Sequence, residues 1–388
     1  MRSLSLRLLA AALLGLPVAA RAQGTLSTQG FGYPGGQHSS RSLATGGALG
    51  EVDPYSAINP SSIFGLGGST LYFQAEPEYR TLRSGGNQET ATIARYPLAA
   101  ASVPFGSSIM AGIGVSNLLD RSFKTVARSL QTVGGSTIGS TNSFSSDGAI
   151  GDVRLALAWA PRTWLRLGVA GHAITGDNRL SSSQVFDDTT YASLVDTTTV
   201  SYVGSAYSAG IQLQVPGGIN FAGSYRRGGS LSAKRADTTL RTGHVPDRVA
   251  LSAAFIGIRG TTIAVRTAKD KWSNMSTLIA DGTPISDSWD SSIGADVFGP
   301  SLFGNNLQLR AGARQRNLPF GIPPRLVGSV LSPAADVKEK SYGFGIGTAL
   351  ARGRATLDVT GNHASRTSPG TALTESAWTL SVGIMVRP

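Results

Sequence analysis

The chain has 388 residues, a formal net charge of +11 at pH 7, no cysteine and 49 glycines. Charged residues make up 15% of the chain, against about 25% in ordinary soluble domains. This composition excludes disulfides, thiolate metal sites and cysteine nucleophiles, and it argues against a typical soluble protein. The basic residues are scattered and form no basic run, so we expect no nucleic-acid partner.

The first 22 residues have the features of a secretory signal peptide. Arg2 and Arg7 give a positive start, residues 8–19 are apolar, and residues 20–22 form an A-x-A cleavage site. The apolar run is short and is interrupted by Pro17, which argues against a membrane anchor. We therefore expect export, cleavage after residue 22 and no transmembrane helix in the mature chain.

Residues 23–68 form a separate N-terminal segment, because they are rich in glycine and show no regular alternation of apolar and polar residues. The aromatic content argues against a disordered tail. The apolar side chains either line an apolar pocket or pack the segment against a wall, and Phe31 and Phe64 are candidate ligand-binding residues. The full set is Phe31, Tyr33, Tyr55, Ile58, Ile63 and Phe64.

From residue 69 onward the apolar residues recur at every second position, which is the period of a β-strand. In residues 151–159, for example, Leu155 and Leu157 share one face while Asp152 and Arg154 share the other. We predict fourteen strands of roughly ten residues, a length that suits tilted transmembrane strands. They lie at 69–82, 90–103, 108–120, 149–160, 164–175, 202–215, 219–227, 248–257, 261–271, 288–298, 306–316, 341–351, 354–362 and 375–386.

The connections between these strands are alternately short and long, and this asymmetry is typical of outer-membrane barrels. The long connections are predicted as loops at 121–148, 176–201, 228–247, 272–287 and 317–340. A soluble sandwich would fill its interior with apolar side chains, and a propeller would repeat one motif at a fixed period. The sequence therefore predicts an all-β fold, a fourteen-stranded antiparallel transmembrane β-barrel over residues 69–388. Its partners would include outer-membrane lipids, lipopolysaccharide and, during insertion, the barrel-assembly machinery.

The alternation also places charged side chains in the lumen. Arginine suits the bidentate capture of a carboxylate or a phosphate, so Arg154, Arg166, Arg310 and Arg314 are candidate ligand-binding residues. The same residues would equally form an Arg–Asp lattice that braces the wall, and the sequence leaves both interpretations open. The inward set is Arg154, Arg166, Arg226, Arg266, Arg310, Arg314, Asp152, Asp270, Asp290, Asp296 and Asp358.

One motif in the N-terminal segment resembles the start of FadL-like outer-membrane barrels. Their pattern is a small residue with Gly-Gly-Ala, an Asp, a Ser-Ala pair and then Asn-Pro-Ala. Ser61 replaces the last alanine here, and Pro54 is not typical. Residues 244–251 and 310–320 resemble later strand entries of the same family. The matching positions are Gly46, Gly47, Ala48, Asp53, Ser56, Ala57, Asn59 and Pro60.

The resemblance implies a fourteen-stranded barrel with a small N-terminal hatch in its lumen. It implies passive uptake of long-chain fatty acids or other hydrophobic or amphipathic small molecules, with no cofactor and no metal. In this family cargo leaves sideways beside a kinked third strand, where Gly112, Gly114 and Asn117 either mark the bend or are only small lumen residues. An alternative is the PorV-like branch of the superfamily, whose barrels bind or shuttle secreted proteins.

We find no sequence signature of an enzyme. The motifs G-x-S-x-G, H-E-x-x-H and G-x-x-x-x-G-K-[ST] are all absent. An outer-membrane lipase would need a serine beside a histidine. His172 and His363 lie near strand ends and many serines are available, so the sequence supports such a pairing no better than chance. The sequence therefore predicts a protein without enzymatic activity.

Overall fold

The structure is a computed structural model that describes residues 26–28, 30–84, 87–133, 136–279, 282–302, 305–327 and 330–388. The predicted signal peptide lies outside the described residues. No helix among those ranges is long and apolar enough to cross a membrane.

Fourteen antiparallel strands form a closed barrel, which confirms the predicted fold class. The ring closes where β14 pairs with β1, and the third and eighth strands are each interrupted once. The strands are β1 (Thr70–Ser84), β2 (Asn87–Phe105), β3 (Ile109–Asp120 and Phe123–Val133), β4 (Ser136–Arg162), β5 (Leu165–Phe186), β6 (Leu194–Val215), β7 (Ile219–Arg235), β8 (Thr238–His244 and Asp247–Ile258), β9 (Thr261–Lys271), β10 (Ser288–Leu302), β11 (Asn305–Ile322), β12 (Ala335–Leu350), β13 (Ala355–Thr367) and β14 (Leu373–Val386).

The remaining elements are short. Helix α1 (Ser40–Ala44) and a two-residue strand (Tyr33–Pro34) belong to the N-terminal segment. The 3-10 helices are Leu26–Thr28, Pro60–Leu66, Trp272–Leu278 and Ala351–Gly353, and a small hairpin joins Arg325–Val327 to Val330–Ser332.

Several strands are longer at the extracellular end than the sequence predicts. Residues 121–148, 176–201 and 228–247 were expected to be loops, and that prediction is wrong, because paired strands occupy most of them. These extensions are rich in Ser and Thr on both faces, so no apolar period marks them. The barrel wall therefore continues beyond the apolar zone as a polar rim.

The outer face of the barrel is apolar and the inner face is charged. Leu155, Leu251 and Ile293 are each more than half exposed on the outside, whereas Arg266 and Asp290 are buried inside. Such an inverted arrangement is favourable only in a bilayer. Exposed aromatic side chains form two belts, as expected at the two membrane interfaces. The extracellular belt contains Tyr79, Tyr207, Tyr225, Trp289, Tyr342 and Trp378, and the periplasmic belt contains Phe105, Trp159, Trp164, Phe221, Phe255 and Phe298.

The N-terminal segment lies inside the barrel, against glycines of the inner wall. A Cβ atom at Gly312 would lie 2.1 Å from the carbonyl carbon of Thr45, and one at Gly168 would lie 2.3 Å from the nitrogen of Ser61. Real Cβ contacts are never so short, so these positions require glycine for the segment to approach the wall. Part of the unusual glycine content is thereby explained.

The residues of the hatch motif hold the segment in shape. Asp53 accepts hydrogen bonds from the hydroxyls of Ser39 and Ser56, and Ser39 caps α1. Asn59 accepts from Ser61 and donates to the carbonyl of Glu51, ahead of Pro60 at the start of its 3-10 helix. Gly46 and Gly47 have φ of +65° and +91°, and Ala48 is fully buried.

Candidate functional site: a side gap and the lumen behind it

The wall of the barrel is split between β2 and β3. The two strands pair from Phe105 and Ile109 up to Leu98 and Ser116. Beyond that point, residues 87–95 pair only with β1, with a register shift at residues 96 and 97. Residues 117, 119, 120 and 123–133 pair with β4. Tyr79 of the extracellular belt pairs with Thr92, five positions above Pro97. The split, which we call the side gap, therefore begins inside the apolar zone and faces the outer half of the bilayer.

Two local features of the sequence cause the side gap. Pro97 has no N–H group, so it cannot continue the ladder toward β3. Leu118 is an extra residue in β3, because the register against β4 shifts between Asn117 and Leu119. Leu118, Leu119 and Asp120 are consecutively buried, so the third strand turns into the lumen at this bulge.

The N-terminal segment fills the side gap from within. Tyr33 and Pro34 pair with Asp120 and Leu119 as a short antiparallel strand. Gly36 follows with φ of +84°, and a Cβ at this position would lie 2.8 Å from the Cβ of Asn117. The Arg95 guanidinium reaches across from β2 to the Asp120 carboxylate at 2.5 Å. The gap in the backbone ladder is thus closed by side chains and by Tyr33, Pro34 and Gly36 of the segment.

Tyr33 is held by a group of ionic side chains from several strands. Its hydroxyl donates to Glu339 at 2.9 Å and accepts from Arg366 at 2.9 Å. The guanidinium carbons of Arg366 and Arg316 lie 4.6 Å and 4.9 Å from the ring centroid, within cation–π range. We call this group the Tyr33 cluster: Tyr33, Glu78, Arg80, Arg95, Arg316, Glu339, Arg366 and Glu375.

A polar cavity of about 110 Å³ lies in the lumen beside the gap. Residues 33–38 of the N-terminal segment form one side of it, and Asn117, Leu118 and Asp120 connect it to the gap. By roughly 10–15 Å³ for each water, it holds on the order of ten waters and no long acyl chain. Its charged lining comprises Glu76, Glu78, Arg95, Asp120, Arg226, Arg248, Asp270, Asp290, Arg314, Arg316 and Glu339.

His38 at the edge of the cavity is a neutral residue among cations. Its Nδ1 lies 2.9 Å from the Ser42 hydroxyl. Burial, and then the positive charges of Arg314 and Arg266, hold the pKa of His38 well below its usual range. The imidazole therefore packs beneath α1 without adding charge to the lumen.

An apolar cluster lies above the cavity, toward the extracellular end. Phe31 packs edge-to-face on Tyr202 with ring centroids 5.5 Å apart, and the Arg121 guanidinium carbon lies 4.1 Å from the Phe31 ring centroid. Trp272 and Met275 enter from the connection between β9 and β10. This tightly packed cluster separates the cavity from the outside.

Phe64, the second predicted apolar contact, lies at the other end of the lumen. It packs with Ile63, Leu66 and Met110 near the periplasmic turns. Phe31 and Phe64 therefore do not share one pocket, because the segment runs down the length of the barrel between them.

Two of the predicted lumen arginines are neutralised by carboxylates. Arg314 makes a bidentate pair with Asp290, at 2.8 Å and 2.7 Å. Arg310 bonds Asp296 at 3.1 Å and also contacts Asp358. These pairs have the geometry of a bracing lattice, and they leave few donors for a ligand.

The other two predicted arginines are less satisfied. Arg154 is 5% exposed, and its Nε and Nη1 atoms have no hydrogen-bond partner among the described residues. It borders a pocket of about 20 Å³ beside Tyr55, Tyr72 and Ile63. Arg166 has a weak contact with Gln212 at 3.3 Å, and its guanidinium carbon lies 5.6 Å from the Phe64 ring centroid. Arg154 has the charge of Asp152 nearby but no carboxylate hydrogen-bonded to these two nitrogens, and Arg166 contacts only an amide. Desolvated cations that are incompletely paired are costly, so these two positions favour an anion.

The predicted lateral-gate residues divide into two kinds. Gly112 and Gly114 lie in the regular ladder, opposite Ser102 and Ala100, and mark no bend. Asn117 is the first residue of β3 that no longer pairs with β2, and it lies against Gly36 of the N-terminal segment. Sequence reasoning missed Pro97, although a proline inside a predicted strand is a recognised sign of an edge. It included Tyr33 among the apolar side chains of the segment but did not predict its ionic contacts. No group of His, Asp or Glu in the described ranges is arranged to hold a metal ion.

Comparisons with known proteins establish the fold alone. No family model matches the sequence, and no curated protein matches it. A FadL homologue from Pseudomonas aeruginosa is 9% identical, with a TM-score of 0.63, over 92% of this chain and 99% of that one. The toluene transporter TodX from Pseudomonas putida is 13% identical, with a TM-score of 0.55, over 92% and 99%. The monoaromatic hydrocarbon channel CymD is 12% identical, with a TM-score of 0.54, over 94% and 99%. The chain thus has the fold of a FadL-type barrel.

Proposed function

We propose that this protein is an outer-membrane channel for the passive uptake of hydrophobic or amphipathic small molecules. The observation that carries the proposal is the side gap, which faces the apolar zone of the bilayer and has the lumen cavity directly behind it. A hydrophobic molecule that leaves through such a gap enters the membrane without crossing a polar phase. The likeness to FadL, TodX and CymD supports this function, because those proteins are a FadL homologue, a toluene transporter and a hydrocarbon channel.

The N-terminal segment, residues 23–68, would serve as the hatch. The cavity of about 110 Å³ is smaller than the roughly 300–1,000 Å³ of a pocket for a drug-sized ligand. Residues 33–36 line this cavity, so cargo of that size requires the segment to shift. A shift that withdraws Tyr33 and Gly36 would widen the lumen and the side gap together.

The cargo would carry an anionic head, as a long-chain fatty acid does. Arg154 and Arg166 are the candidates for holding it, because Arg310 and Arg314 are already paired within the wall. The apolar side chains beside Arg154, among them Tyr55 and Ile63, would contact the start of the chain.

The protein would lie in the outer membrane after export and signal-peptide cleavage. Lys338 and Lys340 are exposed on β12 above the aromatic belt, where they would meet lipopolysaccharide phosphates. Insertion would depend on the barrel-assembly machinery, as for other barrels of this kind.

Native mass spectrometry of the gently extracted protein, with lipid analysis, tests this proposal. We expect a stoichiometric long-chain amphiphile whose affinity falls about tenfold or more in Arg154→Gln, because a charge-assisted hydrogen bond is lost. Arg128→Gln, an exposed residue of the rim, is the charge-matched control and should retain the amphiphile. An empty barrel that instead retains a protein partner would overturn the proposal and favour the PorV-like alternative.

A further inference from the structure

Three lumen-facing residues on neighbouring strands form a hydrogen-bonded chain that uptake does not require. His172 Nδ1 on β5 lies 2.8 Å from Asp152 Oδ1 on β4 and 3.0 Å from its Oδ2. His172 Nε2 lies 2.8 Å from the hydroxyl of Ser208 on β6. All three side chains are buried: Asp152 is 1% exposed, His172 is 7% exposed and Ser208 is 8% exposed.

The register of the wall brings these residues together along one diagonal. His172 pairs with Arg154 on one side and with Ala206 on the other. Asp152 is two residues from Arg154, and Ser208 is two residues from Ala206, in opposite directions along the barrel axis. Diagonal neighbours at this spacing are within reach of a long side chain. The imidazole is therefore held at both of its nitrogens by a rigid sheet.

The order of the contacts determines the chemistry. A carboxylate only accepts hydrogen bonds, so Asp152 places the proton of a neutral imidazole on Nδ1 and leaves Nε2 as the acceptor for the Ser208 hydroxyl. This is the relationship of nucleophile, base and orienting acid in a Ser–His–Asp triad. Gln37 Nε2 lies 3.4 Å from the second oxygen of Asp152, which further fixes the carboxylate.

A cation lies beside Ser208, and the lumen cavity lies behind that cation. Its cross-strand partner on β7 is Arg226, and both Arg226 and Gln37 line the lumen cavity. The Arg226 guanidinium is 3.8 Å from Asp270, beyond hydrogen-bond distance. Its Nε donates to the Pro246 carbonyl at 3.4 Å, so its terminal nitrogens are the donors for negative charge that develops next to Ser208.

We propose that Asp152, His172 and Ser208 form an acyl-transfer site that hydrolyses small carboxylic esters in the lumen. Ser208 Oγ bonds to the ester carbonyl carbon while His172 Nε2 takes the hydroxyl proton. The bond to the leaving alcohol then breaks, and the alcohol departs with that proton. A water molecule, deprotonated by His172, next bonds to the acyl carbon. The bond between that carbon and Ser208 Oγ breaks to release the acid, and His172 returns the proton to Oγ. The sum is ester plus water to acid plus alcohol, and the inference does not rest on the proposed uptake.

Reaction of the purified full-length barrel with diisopropyl fluorophosphate tests the site. Ser208 Oγ would displace fluoride from phosphorus, and intact-mass and peptide analysis would show one adduct on Ser208. We expect the adduct to be absent in Ser208→Ala and retained in Ser252→Ala, a lumen serine that is 7% exposed. We also expect p-nitrophenyl acetate hydrolysis above the Ser208→Ala background.

The roles of the other two residues require separate variants. Asp152→Asn keeps the side-chain shape but no longer favours the Nδ1-protonated tautomer of His172. His172→Gln removes the base. Each should slow the adduct about 100-fold or more while heat-modifiable migration stays intact. If His172→Gln does not fold, Asp152→Asn decides. No adduct on the folded wild type, an unchanged rate in folded Asp152→Asn, or labelling without ester turnover would overturn the proposal.

Discussion

Two seams of the same barrel end differently. Strands β13 and β14 are paired without a break from Ala355 and Val386 to Thr367 and Thr374. Strands β2 and β3 separate after Leu98 and Ser116. The difference comes from one missing N–H group, at Pro97, and one extra residue, Leu118. A barrel wall can therefore open locally through two residues, because the closed ring of pairs elsewhere keeps the backbone groups satisfied.

The open seam is filled by a segment that is held by side chains. A seam closed by a continuous ladder of backbone pairs is permanent. One closed by a two-residue strand, side chains and an ion pair can open when those few contacts are released. The predictions below separate the contribution of the segment from that of the strands.

The largest effect is expected from Gly312→Val. The new side chain would overlap the backbone of Thr45, so the N-terminal segment should be displaced from the wall. Planar-bilayer recordings should show a several-fold rise in conductance. Gly171→Val is the control, because a Cβ at that position meets nothing within 4 Å. Wild-type conductance in a folded Gly312→Val barrel would show that the segment does not block the lumen.

Arg366→Gln should destabilise the barrel and loosen Tyr33. Arg366 bonds Glu339 at 2.6 Å and Tyr33 at 2.9 Å, and also contacts Glu375. Its loss leaves buried Glu375 without a cation and leaves Glu339 with Arg316 alone, at a cost of about 3–5 kcal/mol. Urea unfolding in lipid vesicles measures this, with the exposed Arg354→Gln expected within about 0.5 kcal/mol of wild type. A loss below about 1 kcal/mol would contradict the role given to the Tyr33 cluster.

Acid should weaken the packing of the segment through His38. Below pH 6.5 the unfolded chain protonates His38 while the folded chain keeps it neutral, because its folded pKa is lowered. The free energy of unfolding should therefore decrease as the pH is lowered below about 6.5. The decrease should be up to about 1.4 kcal/mol per pH unit until the pH reaches the folded pKa. His38→Gln should flatten this slope between pH 6.5 and 5. Equal slopes in both proteins would rule out His38 as the titrating group.

The smallest effect is expected at the strand edge itself. Pro97→Val restores an N–H group and should extend the β2–β3 ladder by one bond, worth about 1 kcal/mol. Hydrogen exchange at residues 116–118 should slow. Pro104→Val, in the paired part of β2 opposite Met110, should leave that exchange unchanged. Faster exchange in Pro97→Val would mean that the proline does not cause the break.

The wall could be predicted from the sequence because a lipid-facing barrel requires strict alternation. Leu155 outward and Asp152 inward follow from that rule alone. The polar strand extensions could not be predicted, because residues such as those at 136–147 have no apolar period. The Tyr33 cluster and the contact of His172 with Ser208 depend on the register of distant strands, which a single sequence does not encode visibly. Among the candidate site residues, direction into the lumen was predictable. The pairing of Arg310 with two carboxylates and the unpartnered nitrogens of Arg154 were not.

The most direct test of the account is a disulfide between the segment and the gap. The chain has no cysteine, and Pro34 and Leu119 are cross-strand partners, so Pro34→Cys with Leu119→Cys can lock the segment in place. The control pair, Ala364→Cys with Ala377→Cys, cross-links the sealed β13–β14 seam. Uptake of the co-purifying amphiphile should stop in the oxidised Pro34–Leu119 variant, return on reduction, and stay unchanged in the control. Full uptake after complete cross-linking of Pro34→Cys to Leu119→Cys would contradict the side gap as the route.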